Sequence, residues 1–231
     1  MNRVLAVTRM QLVNWPVTLG WPWGILMASF LANLAIFWSI ADTTDQPQST
    51  GAVMSIYIVL LVGYGQVITQ FFPFALGLGV TRRAFYAATL LLLVAESLLY
   101  GVLLYLCRLL EAATGGWGLS LRFFALPFLV DDNPVAQILI YAVPFTVLGA
   151  IGMCSALVFK RWGVNGLFVL GFATIVLGGG AIAWVSWQRH WAAIGHWFAD
   201  QSALTLFAGW PVPLTLVLAG IGYLTIRRAT A

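Results

Sequence analysis

The chain has 231 residues, of which 61% are hydrophobic and only 8% charged, with a mean hydropathy of +0.95. Those proportions exclude a soluble domain, because too little polar side chain exists to cover so much apolar surface. The net charge of +4 is not carried by a basic tract interleaved with aromatics, so nucleic acid is not an expected partner.

Taken in chain order, residues 1–14 come first and predict a short interfacial helix. Leu5 and Leu12 share one helical face, with Arg3 and Asn14 on another. Arg9 falls toward the apolar side, which leaves a plain membrane-surface anchor as the other reading. Six apolar runs of membrane-spanning length follow: Pro16–Ile40, Ala52–Leu78, Ala84–Leu106, Pro134–Phe159, Trp162–Trp187 and Ala203–Ile226. In lipid every backbone polar group must be satisfied internally, so runs of this kind predict helices despite their Val, Ile and Phe content. The fold expected over 1–231 is a single all-α integral membrane domain with six transmembrane helices. The first run is longer than a signal-peptide core and lacks a small-residue cleavage site, so it is retained as the first span.

One further apolar stretch, Trp117–Val130, is too short to span and contains Arg122 and Pro127. It predicts an outer interfacial helix or lid. After it, Asp131, Asp132 and Asn133 offer an N-cap, with Pro134 in the first turn of the next helix.

Basic residues set the orientation. Arg3, Arg9, Arg82, Arg83, Lys160, Arg161, Arg227 and Arg228 fall at one set of helix ends, whereas the other holds Arg108, Arg122 and Arg189 with Asp42, Asp45, Glu111, Asp131, Asp132 and Asp200. The positive-inside rule then places both termini in the cytoplasm.

Charge inside a span demands separate treatment. Glu96 stands about 18 Å into its helix, near the bilayer midplane, and Gln66 lies at matching depth on the preceding helix. Gln70 is one turn below Gln66, and Tyr100 one turn above Glu96. This cluster of Gln66, Gln70, Glu96 and Tyr100 has two readings: interhelical glue, or a polar station in a substrate or proton path. Gly149, Gly152 and the run Gly178–Gly180 permit close helix contact, either within one chain or along a path between two. Trp184, Trp187, Trp191 and Trp197 fit an interfacial belt, with a surface for an amphipathic substrate as the other use.

Catalytic signals are sparse. His190, His196 and Asp200 are the one cluster that resembles metal ligands, but the two histidines are six apart and would face different sides of a helix. No metal site is expected. There is no Gly-x-Ser-x-Gly elbow and no His-Glu-x-x-His motif, and Lys160, the only lysine, has no Gly-rich loop before it. The chain is therefore expected not to be an enzyme and to bind no cofactor of its own.

Helix 2 ends through Pro73, Gly77 and Gly79, and the turn then reads Gly79, Val80, Thr81, Arg82, Arg83, Ala84, Phe85. This resembles the Gly-x-Ser/Thr-Arg-Arg-x-Phe/Tyr turn of the membrane (permease) subunits of type-2 ATP-binding-cassette (ABC) exporters, in their small bacterial group. The basic N-terminal segment, the long outer loop from Ala113, the Lys160–Gly163 turn and the Arg-Arg ending resemble that group as well. The resemblance implies a multi-pass protein of the bacterial plasma membrane that exports a hydrophobic or amphipathic substrate. It implies two cytoplasmic ABC ATPase subunits as partners, with ATP and Mg bound there, and a second permease subunit, identical or related, surrounded by membrane lipids. It makes Leu78, Gly79, Val80, Thr81, Arg82, Arg83 and Phe85 the ATPase-coupling turn, with Arg3 and Arg9 as a second contact. Read by charge alone, Arg82 and Arg83 are topological anchors. Alternatives of other classes are an ion-coupled secondary transporter using Glu96, and a membrane-bound binding or sensory protein.

Overall fold

The computed structural model describes Thr8 and residues 19–40 and 48–227. Arg3, Arg9, most of the interfacial helix predicted over 1–14 and the predicted start of the first span at Pro16 lie outside the described residues. The elements in chain order are α1 (Trp21–Ile40), β1 (Gln48–Ser49), α2 (Met54–Gln66), α3 (Phe72–Gly77), α4 (Arg82–Ala113), β2 (Leu121–Arg122), α5 (Pro134–Trp187), α6 (Trp191–Asp200) and α7 (Pro211–Ile226). Among the described residues, five stretches are long and apolar enough to cross a membrane: Trp21–Ile40, Gly51–Gly77, Arg82–Ala113, Pro134–Trp187 and Thr205–Ile226. The architecture is all-α, and of the membrane type by length and composition.

Local chemistry explains where these helices bend and stop. Between α2 and α3 the backbone widens into a π-turn over Val67–Phe71, just ahead of Pro73. A proline nitrogen cannot donate, and its ring crowds the carbonyl four residues back; a wider turn relieves both. α3 ends on Gly79 at φ +79°. Gly79 N–H donates to Leu76 O at 2.9 Å and Val80 N–H to Ala75 O at 3.0 Å, a Schellman stop that requires the left-handed conformation glycine tolerates. α4 starts at once, its first turn capped by Thr81, whose hydroxyl oxygen accepts from Ala84 N–H. Asn133 caps α5 as its position predicts, accepting from Val135 and Ala136 N–H.

Two elements differ from expectation. α4 runs to Ala113, a 32-residue helix about 48 Å long, seven residues beyond the predicted Leu106. The segment 117–130 is not a helix. Trp117, Gly118 and Ser120 have positive φ, Leu121 and Arg122 pair in parallel with Gln48 and Ser49, and only Pro127–Leu129 makes a 3-10 turn. Within it Leu121, Phe123, Phe124, Leu126 and Leu129 are buried, whereas Phe128 and Val130 are exposed. By contrast, α5 breaks at Gly163 (φ 65°, ψ −158°), at the turn expected between the runs 134–159 and 162–187.

That break reverses the chain. Arg161 lines one cavity with Leu224, Thr225 and Arg227, so the Gly163 corner lies at the Arg227 end of α7. Trp197 packs on Trp210 with ring centroids 5.9 Å apart, so the following segment returns to the opposite end. The two halves of α5 thus form an antiparallel pair.

Packing divides the chain unequally. The core joins α1, α2, α4, the first half of α5 and the cap 117–130. Glycines permit the close approaches: a Cβ on Gly152 would run into Leu61 O, and one on Gly101 would lie 2.8 Å from Ala142 Cβ and Ile138 O. Through the middle, Tyr57 stacks on Phe145 at 3.9 Å, and Phe145 meets Tyr100 edge-on at 5.5 Å. Residues 164–187 differ entirely. They are exposed almost throughout, and a Cβ added at Gly171, Gly178, Gly179 or Gly180 would meet nothing within 4 Å. The close packing that glycine usage suggests for both halves of α5 therefore holds within the chain for the first half and for Gly166 beside the break, where a Cβ would lie 2.6 Å from Trp162 Cβ, but not from Gly171 onward.

Candidate functional site

Three groups of residues carry chemistry: the turn between α3 and α4, the surroundings of Glu96, and the surroundings of Glu111.

The turn is a short corner fixed at both ends, by the Schellman stop on one side and the Thr81 cap on the other. Leu78 is 61% exposed; Gly79, Thr81 and Arg83 are exposed as well, and Val80 partly so. Two residues of the predicted coupling set turn inward instead. Phe85 is fully buried, 5.3 Å from the Phe72 ring, and anchors the corner to the core. Arg82 is half-buried and donates from Nη1 to Arg227 O at 3.1 Å, tying the corner to the end of α7. The exposed surface of the corner is formed by Leu78, Gly79, Thr81 and Arg83.

At the middle of α4, Glu96 is 8% exposed. Tyr64 of α2 donates its hydroxyl to Glu96 Oε2 at 2.8 Å, and Tyr100 hydrogen-bonds the same carboxyl from one turn along α4. The sequence pairs Glu96 with Gln66, but the structure uses Tyr64, two residues earlier. Gln66 and Gln70 are exposed, because α2 turns Ile56, Leu60, Tyr64 and Ile68 to the core, a four-residue stripe that leaves 66 and 70 on the other face. The signal for Tyr64 is its type, an apolar ring with a polar tip that finds a hydrogen-bond partner when buried. Glu96 also borders a cavity of about 440 Å³, walled by Trp21, Pro22 and Ile25 of α1, by α2 from Ile58 to Gln66 with Val67 and Phe71 beyond, and by Leu92 of α4. Gln66 lines it too; Gln70 and Tyr100 do not.

Near the far end of α4, Glu111 is 2% exposed, where the sequence predicts only an outer-side charge. One carboxylate oxygen, Oε2, accepts from Trp117 Nε1 at 3.1 Å and from the backbone N–H groups of Phe123 and Phe124, each at 2.9 Å. The other, Oε1, accepts from Ala125 N–H at 2.9 Å. One turn earlier, Arg108 donates from Nη1 to Asp131 O at 3.1 Å and to Gln137 Oε1 at 2.7 Å. The two side chains clamp both ends of the cap, which explains why α4 continues past the predicted Leu106 and why 117–130 is drawn inward. The available signal is Thr114-Gly115-Gly116 after the charged turn, since Gly115 and Gly116 adopt positive φ and let the chain fold back over the helix end. The cap in turn closes over α1: Phe30 lies 4.9 Å from Trp117 and 5.2 Å from Phe123.

Among the described residues, no group of three His, Cys, Asp or Glu side chains could hold a metal ion. His190 precedes α6 without a side-chain capping bond, and α6 carries His196 and Asp200.

Compared with family models, curated proteins and solved structures, the chain matches none. The fold defines an all-α protein with several helices of membrane-spanning length and composition.

Proposed function

We propose that the chain is the permease subunit of an ATP-driven exporter, with six spans, both termini cytoplasmic, and ATP and Mg handled by two separate cytoplasmic ATPase subunits. The observation that carries this is the corner at residues 78–85. A partner gripping Leu78, Gly79, Thr81 and Arg83 would move α3 and α4 as rigid bodies, since neither side of the turn has slack. Arg82, Arg161 and Arg227 gather at the same end, in keeping with a cytoplasmic face. Six spans follow if the Gly163 reversal lies at that face and 164–187 crosses back. The exposed apolar surface of 164–187 then meets lipid or the second permease subunit.

The test is purification of the full chain from its native membrane, followed by assay of ATP hydrolysis in the isolated complex. Leu78→Asp with Arg83→Glu should lose the ATP-hydrolysing partner, while Arg189→Glu, far from the corner in sequence, should keep it. Absence of any ATP-hydrolysing chain, or its retention in the double variant, contradicts the proposal. A second reading, secondary transport, is favoured by one observation: Glu96 lies on the wall of a cavity. Proton-driven flux by the isolated chain would establish that reading in place of the first.

A further inference from the structure

We infer that the cavity beside Glu96 binds a lipophilic primary amine, its ammonium group on the Glu96 carboxyl and its alkyl chain along α2. The inference deepens the export reading, and only the step from ligand to cargo rests on that reading; binding is a property of this chain alone.

Hydrogen-bonding capacity is the first reason. A carboxyl group offers about four acceptor positions, and those of Glu96 receive the hydroxyls of Tyr64 and Tyr100. Acceptor capacity is left over, and Glu96 lines a cavity whose wall, among the described residues, holds no Asp, Lys, Arg or His and no second Glu. The group that matches this open side is a donor, and the best donor is a cation with several N–H bonds. Gln66, at the same wall, adds a neutral amide.

Shape is the second reason. The lining follows α2 and the π-turn after it from Ile58 to Phe71, about 20 Å of helix, and apart from Tyr64, Gln66 and Glu96 it is apolar. An elongated apolar slot with a single polar station accepts an unbranched chain with one polar head. Its volume of about 440 Å³ falls in the range of small-molecule sites, about 300–1,000 Å³.

The experiment uses the full chain in phosphatidylcholine nanodiscs and measures equilibrium binding of radiolabelled dodecylamine and dodecanol, with empty nanodiscs as background. Dodecylamine should bind on the order of tenfold tighter than dodecanol, the scale of one hydrogen bond to a charged group, and Glu96→Gln should erase most of that preference. A second variant guards against a misfolded first one. Gly63 lines the cavity and has nothing within 4 Å of an added Cβ, so Gly63→Leu should fill the space and abolish binding of both probes without disturbing the helix contacts. Equal affinity for amine and alcohol means a slot for lipid chains only and overturns the inference. So does amine binding that survives both variants. These outcomes need no ATPase, so a missing ATPase partner defeats the export reading while leaving this result standing.

Discussion

Glu96 and Glu111 stand on the same helix, α4, and both are nearly enclosed, at 8% and 2% exposure, yet they are completed in different ways. Glu111 receives four N–H donors from its own chain, three of them consecutive backbone amides. Its bonds are all to protein, and they set the shape of the cap. Glu96 receives two phenolic hydroxyls and keeps one side on a cavity. The difference teaches how to sort buried carboxyls: a group saturated by backbone holds the fold, whereas one left partly open beside a void is available to something else.

The largest effect should come from Glu111→Ala. It leaves three backbone N–H groups and an indole N–H without their acceptor in a buried site, at a cost of about 3–5 kcal/mol. Thermal unfolding in detergent should then fall by about 10 °C, or the cap should become open to proteolysis at residues 117–130. Next in size is Trp117→Phe, which removes one of the four donors and the contact with Phe30; a loss of about 1.5 kcal/mol is expected in the same assay. Glu96→Gln should cost least, about 0.6 kcal/mol, the usual worth of a hydrogen bond between membrane helices. If Glu96→Gln proves more destabilising than Glu111→Ala, the contrast between the two carboxyls fails, and Glu96 is glue.

Much of the architecture is legible because lipid imposes simple demands. Runs such as Ala84–Leu106 are long and apolar, and one backbone solution exists for them. The Thr81 and Asn133 caps and the Gly79 turn follow from side-chain chemistry that acts over three or four residues. What the sequence conceals depends on contacts made at long range. Hydropathy ends the third span near Leu106, because Arg108 and Glu111 are charged; only folding back of residues 117–131 supplies the groups that let α4 carry them further. The cap reads as an interfacial segment because it is apolar, too short to span and contains Arg122 and Pro127, with no sign of which partners its aromatics meet. Depth alone pairs Gln66 with Glu96, but α2 rotates Tyr64 to that position, since the stripe Ile56, Leu60, Tyr64, Ile68 is the one that faces the core. The turn at Lys160–Gly163 is legible from the charged pair that interrupts the apolar run, and the φ and ψ of Gly163 put the break at its last residue.

The most direct test of the distinction is labelling of the folded protein with a hydrophobic carbodiimide, dicyclohexylcarbodiimide, which reaches carboxyls through apolar openings, followed by peptide mapping. Glu96 should be modified and Glu111 should not. Modification of Glu111 to an equal extent, or an inert Glu96, would contradict the account.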